Sequence, residues 1–368
     1  MTLNSDRPWP TFGWQSACAD SKGVKTTPLD QLDNEISTGL HGYIDGVRVF
    51  RHGYLIYERE YECDFEKAAA GRGVDGGQYN YHDVDWHPWY RRGDLHSFQS
   101  ISKSVTSALI GIAIHSGEIP GIEIPIMSWF SNRVSANPDP RRSQITLEQL
   151  LTMTAGIKWD EESTEYTDPE NSAAAMESSP DWVQYVIDQA INTQPGEVFV
   201  YSSGVTILLS AILREATGQN AQDYAKEHLF GPLGIEPFFW KKTAEGLTDT
   251  EGGLYLKPTD MAKIGYLYAN DGVWNGRRIL PEGWVKASMQ PAIEAGDWEG
   301  VRYGYQWWLL PYDGGESNFA CVGLGYGGQG LFILPEYDLV SVITGWNIYG
   351  DPQLSAEYAL KIILESVQ

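Results

Sequence analysis

Positive charge is scarce in this chain. Its 368 residues carry 26 Lys and Arg against 49 Asp and Glu, a formal net charge of −23. The acid is spread along the chain and is not gathered in a tail, so it reads as a solvated surface. Such a surface repels phosphate backbones and anionic lipid, which argues against nucleic-acid and membrane partners. Cysteine is scarcer still. Cys18, Cys63 and Cys321 are too few, and odd in number, for a disulfide framework. Neither they nor the seven His fall at metal-ligand spacing, so no metal site is expected. No apolar run approaches the ~18 residues that a membrane span needs. Met1 to Pro8 lacks a basic segment followed by an apolar one. No signal peptide is therefore expected, and the cytoplasm is the expected location.

What is present is ordinary in bulk and uneven in detail. Hydrophobic residues make up 42% and charged residues 20%, which fits a soluble globular chain with one large composite domain. Residues 1–45 read as a polar arm with one helix near Leu29 to Leu40. Gly46 to Arg51 and Tyr54 to Tyr61 read as a hairpin turning at His52-Gly53. Residues 62–95, rich in Gly, Asp and Tyr, read as a long loop. His82, His87 and His96 in or near it are expected to make ordinary loop hydrogen bonds.

Helices are expected from Ser100, over Ile145–Gly156, Trp182–Ile191, Val205–Ala216 and Ala221–Leu229, with an acidic irregular stretch at 157–180. Thr146 is a suitable N-cap and Gly156 a suitable stop. Further helices are expected over Thr259–Ala269, Pro281–Met289 and Leu354–Ser366. Tyr305–Leu309, Gly330–Leu334 and Leu339–Thr344 are β-rich, with a turn at Asp338. Strands from both chain ends around a helical middle predict an α/β (α+β) fold. Its sheet region comprises 46–115 and 250–368, and its helical region 116–249.

One stretch stands apart. Val105 to Ile114 is almost wholly apolar and free of Pro, so it predicts a buried helix. Lys103 lies near its start, one turn after Ser100, and residues at i and i+3 share a helix face. Burial penalises a charged lysine, and so does the positive end of the helix dipole. Both effects favour an amine that can surrender its proton, which is what an activated serine requires. The same residues also fit a surface lysine on the first turn of a core helix. A lone Ser-x-x-Lys arises about once by chance in a chain of this composition.

Further motifs follow in order. They are Ile145-Thr146-Leu147-x-x-Leu150-Leu151-Thr152-x-Thr154-x-Gly156, then Pro195-Gly196 leading to Tyr201-Ser202-Ser203. Leu229-Phe230-x-Pro232-Leu233-Gly234 and Gly252-Gly253-Leu254-Tyr255 come next. In order and spacing the set resembles the serine β-lactamase and penicillin-binding-protein superfamily. Within it, the chain is most similar to the class C-like esterases and amidohydrolases, and among these to the 6-aminohexanoate-dimer (nylon oligomer) hydrolases. The likeness covers most of residues 45–365.

The resemblance implies a serine β-lactamase-like fold, an antiparallel sheet flanked by terminal helices with a helical region over it. It implies Ser100 as nucleophile, Lys103 as base and Tyr201 as general acid/base. Ser203 stands where an Asn is commoner. The third family element is Lys-Thr-Gly or His-x-Gly. Here it becomes Gly325-Tyr326-Gly327-Gly328-Gln329-Gly330, with Tyr326 in the cation's place. Gly327 and Gly328 would let the backbone approach a ligand. The amides of Ser100 and Gln329 would hold the oxyanion. Tyr166, after Trp159-Asp160-Glu161-Glu162, resembles a tyrosine that contacts the substrate amide.

The cation's absence implies small neutral esters or linear amides as substrates. A β-lactamase or D-amino-acid peptidase is the alternative, and a catalytically silent binding module on the same fold is the second. The resemblance implies no cofactor, and a small-molecule ester or amide substrate as partner.

Overall fold

The computed structural model describes residues 7–63, 94–166, 168–314, 318–348 and 353–367. Nine strands form the main sheet. In spatial order they are Gln15–Ser16, Tyr54–Glu60, Ile44–Arg51, Leu339–Gly345, Gln329–Leu334, Phe319–Gly325, Trp308–Pro311, Arg302–Tyr303 and Ile293–Glu294. Every neighbouring pair is antiparallel except the first, in which Gln15 and Ser16 run parallel to Tyr54 and Leu55. The N-terminal arm is thus partly a sheet edge. The early hairpin meets the last strand, with Arg48 opposite Val342, so the two chain ends close one sheet.

The mostly apolar run Leu339–Gly345 is buried along its whole length, as expected of a strand covered on both faces. One face packs under helices Thr27–Ser37 and Ala356–Val367, which also pack on each other. Leu29, Leu32 and Ile36 form the buried stripe of the first of these, three and four residues apart. The other face packs on helix Pro258–Ala269 and on the helical region. At its centre lies Ile101–His115, buried from Ile101 to Ala113, beside Ser203–Thr217. This is the serine β-lactamase-like fold that the motifs imply.

Local differences from the sequence reading have physical causes. The helix after Thr146 does form a capping box with Gln149. It stops at Leu151, well before Gly156, because Met153 adopts φ +58° and the Thr152 hydroxyl turns back to the Glu148 carbonyl and to Thr154. The stretch 157–180 contains a short helix, Ser172–Glu177, whose first amides are held by the Asn171 side chain. Phe319–Gly325 is a strand that the sequence reading lacks. His96 is buried and hydrogen-bonded to Asp45 at 3.0 Å, whereas His82, His87 and most of the expected 62–95 loop lie outside the described residues. Among the described residues, no helix is long and apolar enough to cross a membrane.

Candidate active site

The site is assembled at the start of the Ile101–His115 helix. The chain enters through Gln99, a non-glycine residue at φ +47°, a conformation that costs of order 1–3 kcal/mol and recurs at functional sites. Gln99 is held there from both ends. Its carbonyl accepts from the Ser102 hydroxyl at 2.6 Å, and its side chain donates to Ser97 at 3.0 Å. Ser100 occupies the N-cap position, yet its side chain caps no amide. Its hydroxyl meets Lys103 Nζ at 3.0 Å and hydrogen-bonds Tyr201.

Lys103 is 1% exposed. Its Nζ contacts the Ser203 hydroxyl at 3.1 Å, the Glu251 carbonyl at 2.8 Å and Glu251 Oε2 at 3.4 Å. The Gly252-Gly253-Leu254-Tyr255 motif acquires a structural role here. Leu254–Leu256 pairs with His96–Ser97, and the Leu254 carbonyl accepts from Phe98 N–H at 3.0 Å. That pairing brings Glu251 beneath the lysine.

Tyr201 precedes the helix Ser203–Thr217 and stacks on Trp308, with ring centroids 5.4 Å apart. Burial, reinforced by the charge of Glu161, pushes its phenol well above the ordinary range, while the Ser100 hydrogen bond pulls the other way.

Four buried carboxyl groups surround the lysine pocket, and the sequence reading gave none of them a role. Burial pushes Glu161 upward, with Lys103 pulling it down. Burial also opposes ionisation of Glu251, but Lys103 and hydrogen bonds from Glu177 and Ser203 outweigh it and leave Glu251 below the usual carboxyl value. Glu177 is pushed well up by burial and by the neighbouring Glu251, so it holds the proton of that hydrogen bond. Burial and the same neighbour raise Asp249 to about 7.

The segment packed against the turn before Ser100 is aromatic and glycine-rich. Gly325–Gly330 is the hairpin joining Phe319–Gly325 to Gln329–Leu334, with Gly327 at φ +88° and Gly328 at φ +93°. A Cβ at Gly325 would collide with the Phe98 carbonyl, so glycine brings this hairpin against the turn before Ser100. Tyr326 donates to the Ile348 carbonyl at 3.0 Å and packs edge-on to Tyr166 at 5.1 Å. Burial pushes its phenol up to about 12, so it is uncharged near neutral pH. Tyr166 in turn reaches Glu161 at 3.4 Å.

Ser100, Lys103, Tyr201 and Ser203 therefore form one contact set. Tyr326 and Tyr166 join it through Glu161. The Gln329 side chain is buried and fastens the hairpin to the Gly345 backbone, donating at 2.6 Å and accepting at 3.3 Å.

A profile of the Beta-lactamase family matches residues 39–349. A 6-aminohexanoate-dimer hydrolase of Paenarthrobacter ureafaciens is 25% identical over 290 residues, covering 72% of this chain and 70% of its own. A Bacillus anthracis protein provisionally described as a 6-aminohexanoate-dimer hydrolase superposes with a TM-score of 0.70 at 21% identity. That match covers 99% of this chain and 87% of the other. EstCE1, a hydrolase with promiscuous acyltransferase activity, gives a TM-score of 0.69 at 16% identity, covering 95% and 100%.

Proposed function

This chain belongs to the Beta-lactamase family, and within it we propose a serine hydrolase that cleaves small neutral esters or linear amides through a covalent acyl-enzyme. The observation that carries this reading is a lysine 1% exposed whose Nζ lies 3.0 Å from a partly exposed serine hydroxyl. In the proposed reaction, Lys103 and Tyr201 remove the Ser100 proton as Ser100 Oγ attacks the substrate carbonyl. The amides of Ser100 and Gln329 hold the developing oxyanion. Tyr201 returns the proton to the leaving alcohol or amine, and water then releases the acyl group.

The preference for neutral substrates rests on Tyr326. A phenol held near 12 donates one hydrogen bond but offers no charge to a carboxylate, and a charge-assisted bond is roughly twice as strong as a neutral one. The likeness to a hydrolase of 6-aminohexanoate dimer, a linear amide, supports keeping amides among the substrates. The reaction calls for no metal or cofactor.

One screen tests the proposal. The protein is assayed on p-nitrophenyl esters of varied chain length, on linear amides and on nitrocefin, with Ser100→Ala in parallel. Ester or amide turnover that vanishes in the variant is expected. Preferential nitrocefin turnover would turn the assignment to a β-lactamase. Failure of a fluorophosphonate to label Ser100, with no turnover, would turn it to a silent binding module.

A further inference from the structure

The Glu161 carboxylate is 2% exposed and has four neighbours, all of them donors. Oε2 accepts from the Ser203 main-chain N–H at 2.8 Å and from the Trp159 indole N–H at 2.5 Å. Oε1 accepts from the Ser203 hydroxyl at 2.9 Å and from the Tyr166 hydroxyl at 3.4 Å. The first two donors are fixed in space. One is backbone at a helix start, and the other is a ring lying against Gly204, where a Cβ would come within 2.7 Å of it. An ionised carboxylate accepts and does not donate, so this arrangement fits the anion.

A serine hydroxyl has one proton. With the Ser203 proton on Glu161 Oε1 at 2.9 Å, a lone pair of Ser203 faces Lys103 Nζ at 3.1 Å, and the lysine is the donor. A second lysine N–H goes to the Glu251 carbonyl at 2.8 Å. Nitrogen is tetrahedral. With Cε and these two N–H bonds assigned, its fourth direction falls to Ser100, at 3.0 Å the nearer of the two remaining partners, Glu251 Oε2 lying at 3.4 Å. In the form of the lysine that can act as a base, that direction carries the lone pair.

We propose that Glu161 is a positioning residue that fixes the polarity of the Ser203 hydroxyl, and thereby aims the Lys103 lone pair at Ser100. This rests on the reading of Lys103 as the base. A Ser203 hydroxyl released from Glu161 would turn its proton to the lysine nitrogen and occupy the lone pair that Ser100 needs. Glu251 is the one competitor: its carboxylate is hydrogen-bonded by Ser203 as well as lying 3.4 Å from Lys103.

The test is Glu161→Gln, which preserves size. Its single acceptor oxygen is claimed by the two fixed N–H groups on the Oε2 side. Its NH₂ then faces Ser203 and reverses that hydroxyl. For p-nitrophenyl butyrate, kcat is expected to fall on the order of 10²-fold with KM changed only a few-fold. Removing a nearby negative charge by itself favours an uncharged amine, so a pure charge effect would move activity the other way.

Ser203→Ala removes the hydroxyl that E161Q misdirects, at the expense of one hydrogen bond, and is expected to lower kcat about tenfold. The double variant should match Ser203→Ala, about tenfold better than E161Q alone. An E161Q variant within threefold of the unmodified protein would overturn the inference, since Glu251 would then suffice. A double variant as poor as E161Q would also overturn it, because loss of packing or misfolding carries over whereas a misdirected hydroxyl does not. Ester turnover retained by Ser100→Ala would instead remove the serine reading itself.

Discussion

The two walls of the candidate site are built on opposite principles. The Lys103 wall is polar to its depths, with carboxylates, hydroxyls and a lysine 1–4% exposed and joined by hydrogen bonds. The Tyr326 wall is glycine backbone and aromatic ring, and its titratable phenol is kept uncharged. A buried polar group is costly unless it is paired, so the first wall tolerates little change in geometry. The second presents neutral surface whose composition can vary without leaving a charge stranded. Substitutions on the first wall should therefore alter the rate of the chemical step, and those on the second should redistribute preference among substrates.

The sharpest test of that division is Ser100→Ala, which removes the proposed attacking atom and is expected to lower kcat at least about 10⁴-fold while the circular dichroism spectrum stays unchanged. Lys103→Arg comes next. Arginine keeps the charge but cannot act as a base in a protein, so activity should fall on the order of 10²-fold or more, comparably to Lys103→Ala. An active arginine variant would make Lys103 a mere counter-charge and dissolve the contrast between the walls.

Tyr326→Lys addresses the other side. It should improve KM for nitrocefin several-fold relative to p-nitrophenyl butyrate at matched ionic strength, with ester kcat little changed. A loss of kcat on all substrates alike would mean that both walls serve the chemistry.

The smallest effect concerns stability. Burial raises Glu177 and Asp249, the latter to about 7. Their folded pKa values thus exceed the unfolded values of about 4. The folded state therefore binds more protons than the unfolded one above about pH 4, so this contribution to stability is full below about pH 4 and is lost as pH rises, through about 7 for Asp249. Glu177→Gln keeps a donor toward Glu251 without needing a proton. It should raise Tm at pH 8 by about 1–3 °C and leave it almost unchanged below about pH 4. An equal gain at both pH values would assign the effect to packing.

The contrast between the walls also explains what was legible in the sequence. Ser100 and Lys103 declare each other three residues apart on one helix, and Tyr201 and Ser203 sit at the mouth of a second apolar helix. The expected hairpin, the last strand and the terminal helix form with shifts of a few residues at their ends. Glu161 and Glu251 gave no such signal. Their partners lie 42 and 148 residues away, and two more acids do not stand out among 49. The strand Phe319–Gly325 escaped because Gly323 and Gly325 weaken its β pattern. At Gly325, that residue is what admits the Phe98 carbonyl.

Gln306 also escaped, and it bears on how the site could be moved. Its carbonyl accepts from Ser104 on the Ile101–His115 helix at 2.6 Å, and its Oε1 accepts from Thr206 on the helix after Tyr201 at 2.8 Å. Its Nε2 donates to the carbonyls of Leu150 and Leu151 at 2.9 and 3.1 Å. Three separate stretches of chain are thus referenced to one residue, two through its side-chain amide and one through its main-chain carbonyl. For protein engineering, this makes the serine-lysine helix and the Tyr201-Ser202-Ser203 turn a single transplantable part only when Gln306 travels with them. Either segment grafted alone onto another scaffold would keep its motif and lose its alignment.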